Sequence, residues 1–419
     1  VTWRHGPHAA LPEGPESLRI GIDGACLANR RGFGRFTREV VAALGRIDTP
    51  HRFVVFVDRP SLDRVELPAG FEVVPVAVHE APCEAASADG RRRLGDMLAV
   101  SRALARARLD AVYFPATYSF VPVWGVPRVV VTMHDTLPFR LPELVFPTRM
   151  GRLAWGIKEH LAVRSAHRIV TVSEASRRDL IGHFRLRPDR VRVIVEGVDP
   201  GFGPRAAGPA SDAVLTRRGV APGSRYLLYV GGLSPHKNLL RLLDAFDQVS
   251  DLSVRLVIVG DLGDVFHTHV PELRARIEHH GLGDRVTLTG FVPDAELAFL
   301  YNRAEALVQP SLLEGFGLPA AEAMACGTPV LFSRAGSLPE IVGDGGLGFD
   351  PLDVAAIRHA LDRLLSEPRL RDDLAARALE RSARFSWDES ARGLLAAIEP
   401  APRPRSLVAG SGPHGPGFA

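Results

Sequence analysis

Cysteine is scarce in this chain: three residues, Cys26, Cys83 and Cys326, lie far apart in 419 positions. Their spacing matches no zinc-binding pattern and allows at most one disulfide, so a reduced, cytosolic setting is expected. Long apolar runs are missing too. No stretch approaches the roughly 18 consecutive apolar residues of a membrane-spanning helix. The opening "VTWRHGPHAALPEG" carries no apolar core of a secretion signal. Charge of one sign is also missing. A net charge of +3 and a pI near 9.0 are too weak a bias to suggest phosphate neutralisation, and no nucleic-acid partner is expected. The Gly-Lys-Ser/Thr phosphate loop and the Gly-x-Gly-x-x-Gly dinucleotide fingerprint are both absent. A nicotinamide oxidoreductase is thereby disfavoured.

What is present reads as an ordinary globular chain, 46% apolar and 24% charged, long enough for two domains. Short β-branched runs alternate with helical patterns throughout, the signature of parallel α/β sheets. In the first half, strands are expected at 18–23, 53–58, 71–78, 111–115, 128–135, 168–173 and 191–195. In the second, they are expected at 226–232, 254–261, 285–291, 305–311, 328–333 and 347–350. The Gly- and Pro-rich stretch 199–223 reads as a linker, and the last twenty residues as a disordered tail. Two Rossmann-like domains follow, 1–200 and 201–384. Ligands of such sheets bind outside the carboxyl ends of the strands, so a cleft between the domains is the place to look.

The loops at those ends carry the chemistry. "EGFGLPAAE" (314–322) follows a strand and enters a helix with Pro319 near its first position and Glu322 in its first turn. Gly315 and Gly317 let the backbone approach a ligand, and the helix start offers N–H groups to an anion. Glu314 and Glu322 flank it and can accept hydrogen bonds from hydroxyls. A ligand with phosphates in the middle and polyols at either side, such as a nucleotide sugar, suits this layout. A plain glycine-rich connection with surface glutamates is the rival reading. "YVGGLSPHKN" (229–238) puts Lys237 after a strand that ends in glycines, where an ammonium can neutralise a diphosphate. "MHDTLPF" (133–139) places His134 at another strand end, as a phosphate or hydroxyl contact, an acid–base group, or simply a structural histidine. "RRGFGRFTREV" (30–40) is a glycine-rich loop entering a helix, and "TVSEASRRDL" (171–180) lies further on.

Together these segments resemble the retaining GT-B glycosyltransferases of the E-x7-E group, family 4-like, group 1. "EGFGLPAAE" is similar to their E-x7-E pattern, and "GGLSPHKN", "VTVSEASRRDL", "VIVEGVD", "LTGFV" and "SLPEIVGD" resemble their other segments in the same order. The resemblance spans about 18–395 and includes "FSWDESARGLL" (385–395), similar to a helix (385–399) that crosses back onto the N-terminal domain. It implies a GT-B fold, an acceptor domain followed by a donor domain, and a nucleotide-sugar donor with a glycan, lipid-linked or small-molecule acceptor. It implies that Glu322 binds ribose hydroxyls, Glu314 the transferred sugar, Lys237 the diphosphate, and that His134 sits near sugar and β-phosphate. Phe316, Gly317 and Leu318 would donate backbone N–H groups, Gly34 would approach the diphosphate, and Val292 would meet the base through its backbone. No cofactor and no metal are expected, in keeping with the absence of any Asp-x-Asp. Two positions depart from the pattern. Gly232 stands where an arginine is common, and Glu196 puts a carboxylate where "PNGVD" is usual. "GGLSPHKN…SLPEIVGD" slightly resembles GDP-mannose enzymes of bacterial surface polysaccharides, with UDP-glucose and UDP-N-acetylglucosamine users still open. A sugar-nucleotide epimerase on the same fold and a non-catalytic nucleotide-sugar-binding partner stay as alternatives.

Three segments have simpler readings. Ser337 and Glu340 have capping-box spacing. The histidines of 266–273 and 278–280 read as solvated. The basic stretch 90–110, with Leu94, Met97, Leu98 and Leu104, is either a core helix with a solvated basic face or a peripheral contact with an anionic membrane.

Overall fold

The structure, a computed structural model, describes residues 17–29, 32–79, 93–263 and 269–400. Its first sheet holds β1 (Arg19–Asp23), β2 (Arg52–Asp58), β3 (Glu72–Val76), β4 (Ala111–Phe114), β5 (Arg128–Thr132), β6 (Arg168–Thr171) and β7 (Val191–Val193). The second holds β8 (Tyr226–Val230), β9 (Arg255–Val259), β10 (Val286–Gly290), β11 (Ala306–Gln309), β12 (Val330–Ser333) and β13 (Gly346–Phe349). Every strand expected from the sequence is present. The orders are β3-β2-β1-β4-β5-β6-β7 and β10-β9-β8-β11-β12-β13, with parallel pairing throughout. Strand order reverses between β1 and β4, and between β8 and β11. Both crevices therefore open where the segments with candidate chemistry leave the sheets.

Helices cover both faces of the first sheet, which explains the unbroken apolar runs of its central strands. Ile20, Ile22, Val55 and Val57 pack with Phe36 and Val40 of helix Gly32–Leu44 and Leu394 of helix Trp387–Ile398. Val54, Phe56 and Phe114 pack on the other face with Leu104, Val163 and Leu180 from helices Leu94–Arg106, Arg149–Ser165 and Glu174–Phe184. Edge strand β3 is largely exposed and accommodates Pro75, as an edge can.

The chain does cross back. Helix Trp387–Ile398 buries Trp387 and Leu394 in the first domain, Ser390 Oγ donates to Val195 O at 2.5 Å, and Arg46 pairs with Asp388 at 2.6 Å. A Cβ on Gly197 would stand 2.2 Å from Trp387 N, so glycine at 197 is what lets this helix dock.

Other expectations need correction. The stretch 199–223 is not a bare linker: Pro209 opens helix Pro209–Arg217, which buries Val214 and Leu215. By contrast, of the two readings of 90–110 the core helix is the one that helix Leu94–Arg106 supports, with Val100 in the first-domain core. Leu104 is buried and Met97 packs inward, leaving Leu94 and Leu98 outside. His280 is not merely solvated, since it bonds Asp244 at 2.9 Å and Asp247 at 3.1 Å. Cys26 and Cys326 are both buried, and Cys26 Sγ lies 3.7 Å from Ser119 Oγ. Cys83, residues 264–268 of the histidine-rich stretch and the tail 401–419 lie outside the described residues.

Candidate functional site

The loop after β11 is built to touch the opposite domain. A Cβ on Gly315 would fall 2.2 Å from His134 O, and Ser176 Oγ reaches both His134 O (3.3 Å) and Gly315 O (3.4 Å). Gly317, at φ +104, takes the left-handed conformation that glycine favours and precedes helix Leu318–Ala325. Pro319 has no N–H and those of Ala320 and Ala321 bond Gly317 O at 2.9 and 3.3 Å, so the N–H of Leu318 is the one at this helix start that stays available to a ligand. Phe316 is buried edge-on against Phe385, with centroids 5.5 Å apart.

Ser337 does not form the expected capping box. Its Oγ donates to Phe316 O at 2.7 Å and Glu314 O at 3.1 Å, fastening the glycine loop from below. Glu340 instead crosses to the first domain. Its two oxygens accept the N–H groups of Glu174 (3.0 Å) and Ala175 (3.1 Å), at the positive end of helix Glu174–Phe184. Both side chains have left a local motif for partners distant in sequence.

Glu314 and Lys237 meet. Lys237 Nζ lies 2.7 Å from Glu314 Oε1, and Ser311 Oγ donates to the same oxygen at 2.6 Å. Burial pushes the Glu314 carboxyl up, but Lys237 and the Ser311 hydrogen bond outweigh it and hold it below the usual carboxylate range. Beside them, burial drives the His236 imidazole down to about 3, so it stays neutral.

Glu322 sits at the fifth position of helix Leu318–Ala325, beyond the first turn, and is only 2% exposed. It is therefore tied by side chains rather than by the helix dipole. Arg35 Nη1 lies 2.6 Å from its Oε1, and Tyr301 OH donates to Oε2 at 3.0 Å. Burial pushes this carboxyl up to about 7, against the pull of Arg35 and Tyr301. Asp294 takes another arm of the Arg35 guanidinium at 2.9 Å, and Phe202 lies under it at 5.3 Å.

Both ring nitrogens of His134 have protein partners. Nε2 is 2.9 Å from Pro115 O, which can only accept, and Nδ1 is 3.5 Å from Glu196 Oε1. Burial raises the Glu196 carboxyl, with His134 opposing. The departure at Glu196 is thus a buried support for the His134 ring, which also rests edge-on against Phe36 at 4.7 Å.

The remaining predicted residues fall around this centre. Gly232, beside the Lys237 turn, has its carbonyl bound by Tyr229 OH at 2.6 Å. Gly34 is buried in helix Gly32–Leu44, and a Cβ there would meet Asn29 O at 2.1 Å, so its glycine is demanded by the first domain's own loop. Val292 is buried in the cluster that holds Tyr301. Among the described residues, no three His, Cys, Asp or Glu side chains gather as metal ligands.

Residues 216–381 match the model of the glycosyl transferases group 1, and residues 30–202 that of glycosyltransferase family 4. The O-antigen chain mannosyltransferase B of Escherichia coli is 34% identical over 261 residues, 62% of this chain and 67% of its own. The D-inositol 3-phosphate glycosyltransferase of Frankia alni is 34% identical over 300 residues, 68% of this chain and 71% of its own. This chain belongs to the group 1, family 4 glycosyltransferases. The aligned part covers between 61% and 71% of these and similar relatives. The fold is that of sucrose-phosphate synthase from Thermosynechococcus elongatus (TM-score 0.73, 22% identity, 91% of this chain and 100% of that one). It is equally that of Anabaena HepE, solved in complex with UDP and glucose (TM-score 0.69, 20% identity, 91% and 99%).

In this family 4 chain, Arg35, Tyr301 and the Glu340 cap are the residues that motif reading passed over. Arg35 follows Gly34 in helix Gly32–Leu44. The signal that finds it is physical: a buried Glu322 needs a cation, and none precedes it nearby in sequence.

Proposed function

We propose that this glycosyltransferase moves a hexosyl group from a nucleotide diphosphate sugar, GDP-mannose or a UDP-sugar, to a hydroxyl acceptor, with retention of anomeric configuration and without a metal ion. A cytoplasmic role in bacterial glycan or glycoconjugate synthesis suits its relatives and its sparse cysteines. The observation that carries the reading is the Lys237–Glu314 pair at 2.7 Å, next to the glycine loop that meets His134. Cleaving the bond between sugar and diphosphate leaves positive charge on the sugar and negative charge on the leaving group. Lys237 and the start of helix Leu318–Ala325 supply fixed positive charge for the diphosphate. Glu314 is then free to take sugar hydroxyls, and Glu322 those of the ribose. No side chain is assigned as nucleophile. The leaving phosphate accepts the acceptor's proton as the acceptor attacks from the same face.

A thermal-shift panel of UDP, GDP, ADP and dTDP with their common sugars tests donor binding. A nucleotide at a hundredfold its Kd adds about 2.7 kcal/mol to stability, a shift of several degrees. One base standing out supports the reading, and transfer with an unchanged anomer in the product's NMR spectrum completes it. An epimerised sugar without acceptor, or a shift with NAD(P) alone, overturns it.

A further inference from the structure

Helix Arg149–Ser165 has two apolar faces, and the fold uses one. Ala162 and Val163 are buried against the first sheet, together with Glu159. Around the opposite side, Met150, Leu153, Ile157 and Leu161 are 62%, 59%, 55% and 47% exposed. Steps of three and four residues set them in one stripe along the helix. Other exposed large apolar side chains of the described residues stand singly or, at Leu94 and Leu98, as a pair. Single ones need no explanation; a stripe on one helix does.

The charges around the stripe have one sign. Arg149, Arg152 and Arg164 are exposed on this helix, and its one carboxylate, Glu159, is buried on the far side. Gly156 has no side chain and opens a trough between Leu153, Ile157 and His160. A second copy of this chain is a poor occupant. A two-fold contact would set arginines against arginines, with no acid on the helix between them. An anionic bilayer satisfies both features: the apolar residues enter the headgroup boundary while arginine stems lie along it and guanidiniums reach lipid phosphates. The stripe spans roughly 17 Å at 1.5 Å per residue, the geometry of a helix lying on a surface.

We propose that this face of helix Arg149–Ser165 seats the protein on an anionic membrane, with Met150, Leu153, Ile157 and Leu161 in the interface and Arg149, Arg152 and Arg164 on phosphates. This contact is distinct from the one considered for 90–110, although helices Leu94–Arg106 and Arg149–Ser165 pack on the same face of the first sheet. The helix follows β5, whose carboxyl end carries His134, so a lipid surface here lies one short segment from the cleft.

The test is co-sedimentation of the full chain with vesicles of phosphatidylcholine alone or in equal parts with phosphatidylglycerol. Binding is expected to the mixed vesicles and to fall with salt. The double variant Leu153→Glu/Ile157→Glu and the double variant Arg149→Glu/Arg152→Glu should each bind at least roughly tenfold more weakly. These positions are exposed, and an unchanged melting temperature checks the fold. In a second readout, Ile157→Trp should shift its fluorescence to the blue on adding mixed vesicles. Equal sedimentation of wild type and the Leu153→Glu/Ile157→Glu variant overturns the proposal. So does an Ile157→Trp spectrum that vesicles leave unmoved. A dimer in sedimentation equilibrium that this variant dissolves, with no vesicle binding, overturns it in favour of a second copy.

Discussion

Arg35 Nη1 lies 2.6 Å from Glu322 Oε1, joining the first helix of one domain to the E-x7-E helix of the other. Removing one partner of a buried pair strands the other charge, typically at a cost of roughly 3–5 kcal/mol. Glu322 has an escape, because its carboxyl sits near pH 7 and can take a proton instead. Arg35→Ala is therefore expected to cost about 3 kcal/mol at pH 8, at the low end of that range, and distinctly less at pH 6. Urea unfolding at both pH values checks it; an equal loss at both would mean that Glu322 is not the group left stranded.

The same carboxyl predicts a pH slope. Burial raises it from 4.5 to about 7, so between those values the native state holds a proton that the unfolded chain has released. Stability contributed by this group is then greatest below the unfolded pKa, falls as pH rises through the window, and is level above 7. At about 1.4 kcal/mol per pKa unit, the full fall is on the order of 3 kcal/mol. Glu322→Gln, neutral at every pH, should remove it. The difference in unfolding free energy between wild type and variant is expected to drift in this sense from pH 5 to pH 8. A constant difference would count against a perturbed Glu322.

Lys237 and Glu314 should separate binding from transfer. Each now neutralises the other, with Ser311 holding the carboxylate in place. On the proposed role, Glu314→Ala abolishes transfer and leaves nucleoside diphosphate affinity nearly unchanged, since the diphosphate meets Lys237. Lys237→Ala strands Glu314 and weakens both diphosphate binding and rate, the rate by roughly a hundred- to a thousandfold, as for other preorganised charge contacts. Calorimetry with the nucleotide, beside initial rates, reads the two apart. Equal losses of affinity and rate in Glu314→Ala would remove it as a sugar ligand.

How far these features are legible in the sequence depends on the distance between partners. The strands are legible because each is a short apolar run closed by Gly, Pro or a polar residue, and a buried parallel strand requires nothing more. Glu314 and Lys237 are legible because strand ends point to a cleft. Ser337 and Glu340 are misread because their spacing suits a local cap, whereas their partners are Phe316 O and the N–H groups of Glu174 and Ala175. Helix Pro209–Arg217 is hidden by the Pro and Gly around it, although Pro209 stands where a helix accepts proline. Arg35 is hidden because nothing local distinguishes an arginine that will face a carboxylate of the other domain.

Gly232 offers a gain-of-affinity test. The resemblance leads one to expect an arginine here, and the structure gives no steric reason for glycine. Its backbone is not among those at positive φ, and an added Cβ would meet only Ser234 Oγ, at 3.7 Å. The bond from Tyr229 OH goes to its carbonyl and survives substitution. Gly232→Arg should therefore change stability by no more than about 0.5 kcal/mol. If the diphosphate lies beside Lys237, a second cation should tighten nucleoside diphosphate binding by roughly tenfold through a charge-assisted contact, and the gain should shrink as salt rises. Gly232→Gln, with similar reach but no charge, should not reproduce it. Equal effects of arginine and glutamine would assign the gain to packing. No gain from either would mean that the diphosphate lies elsewhere, or that another cation already serves it.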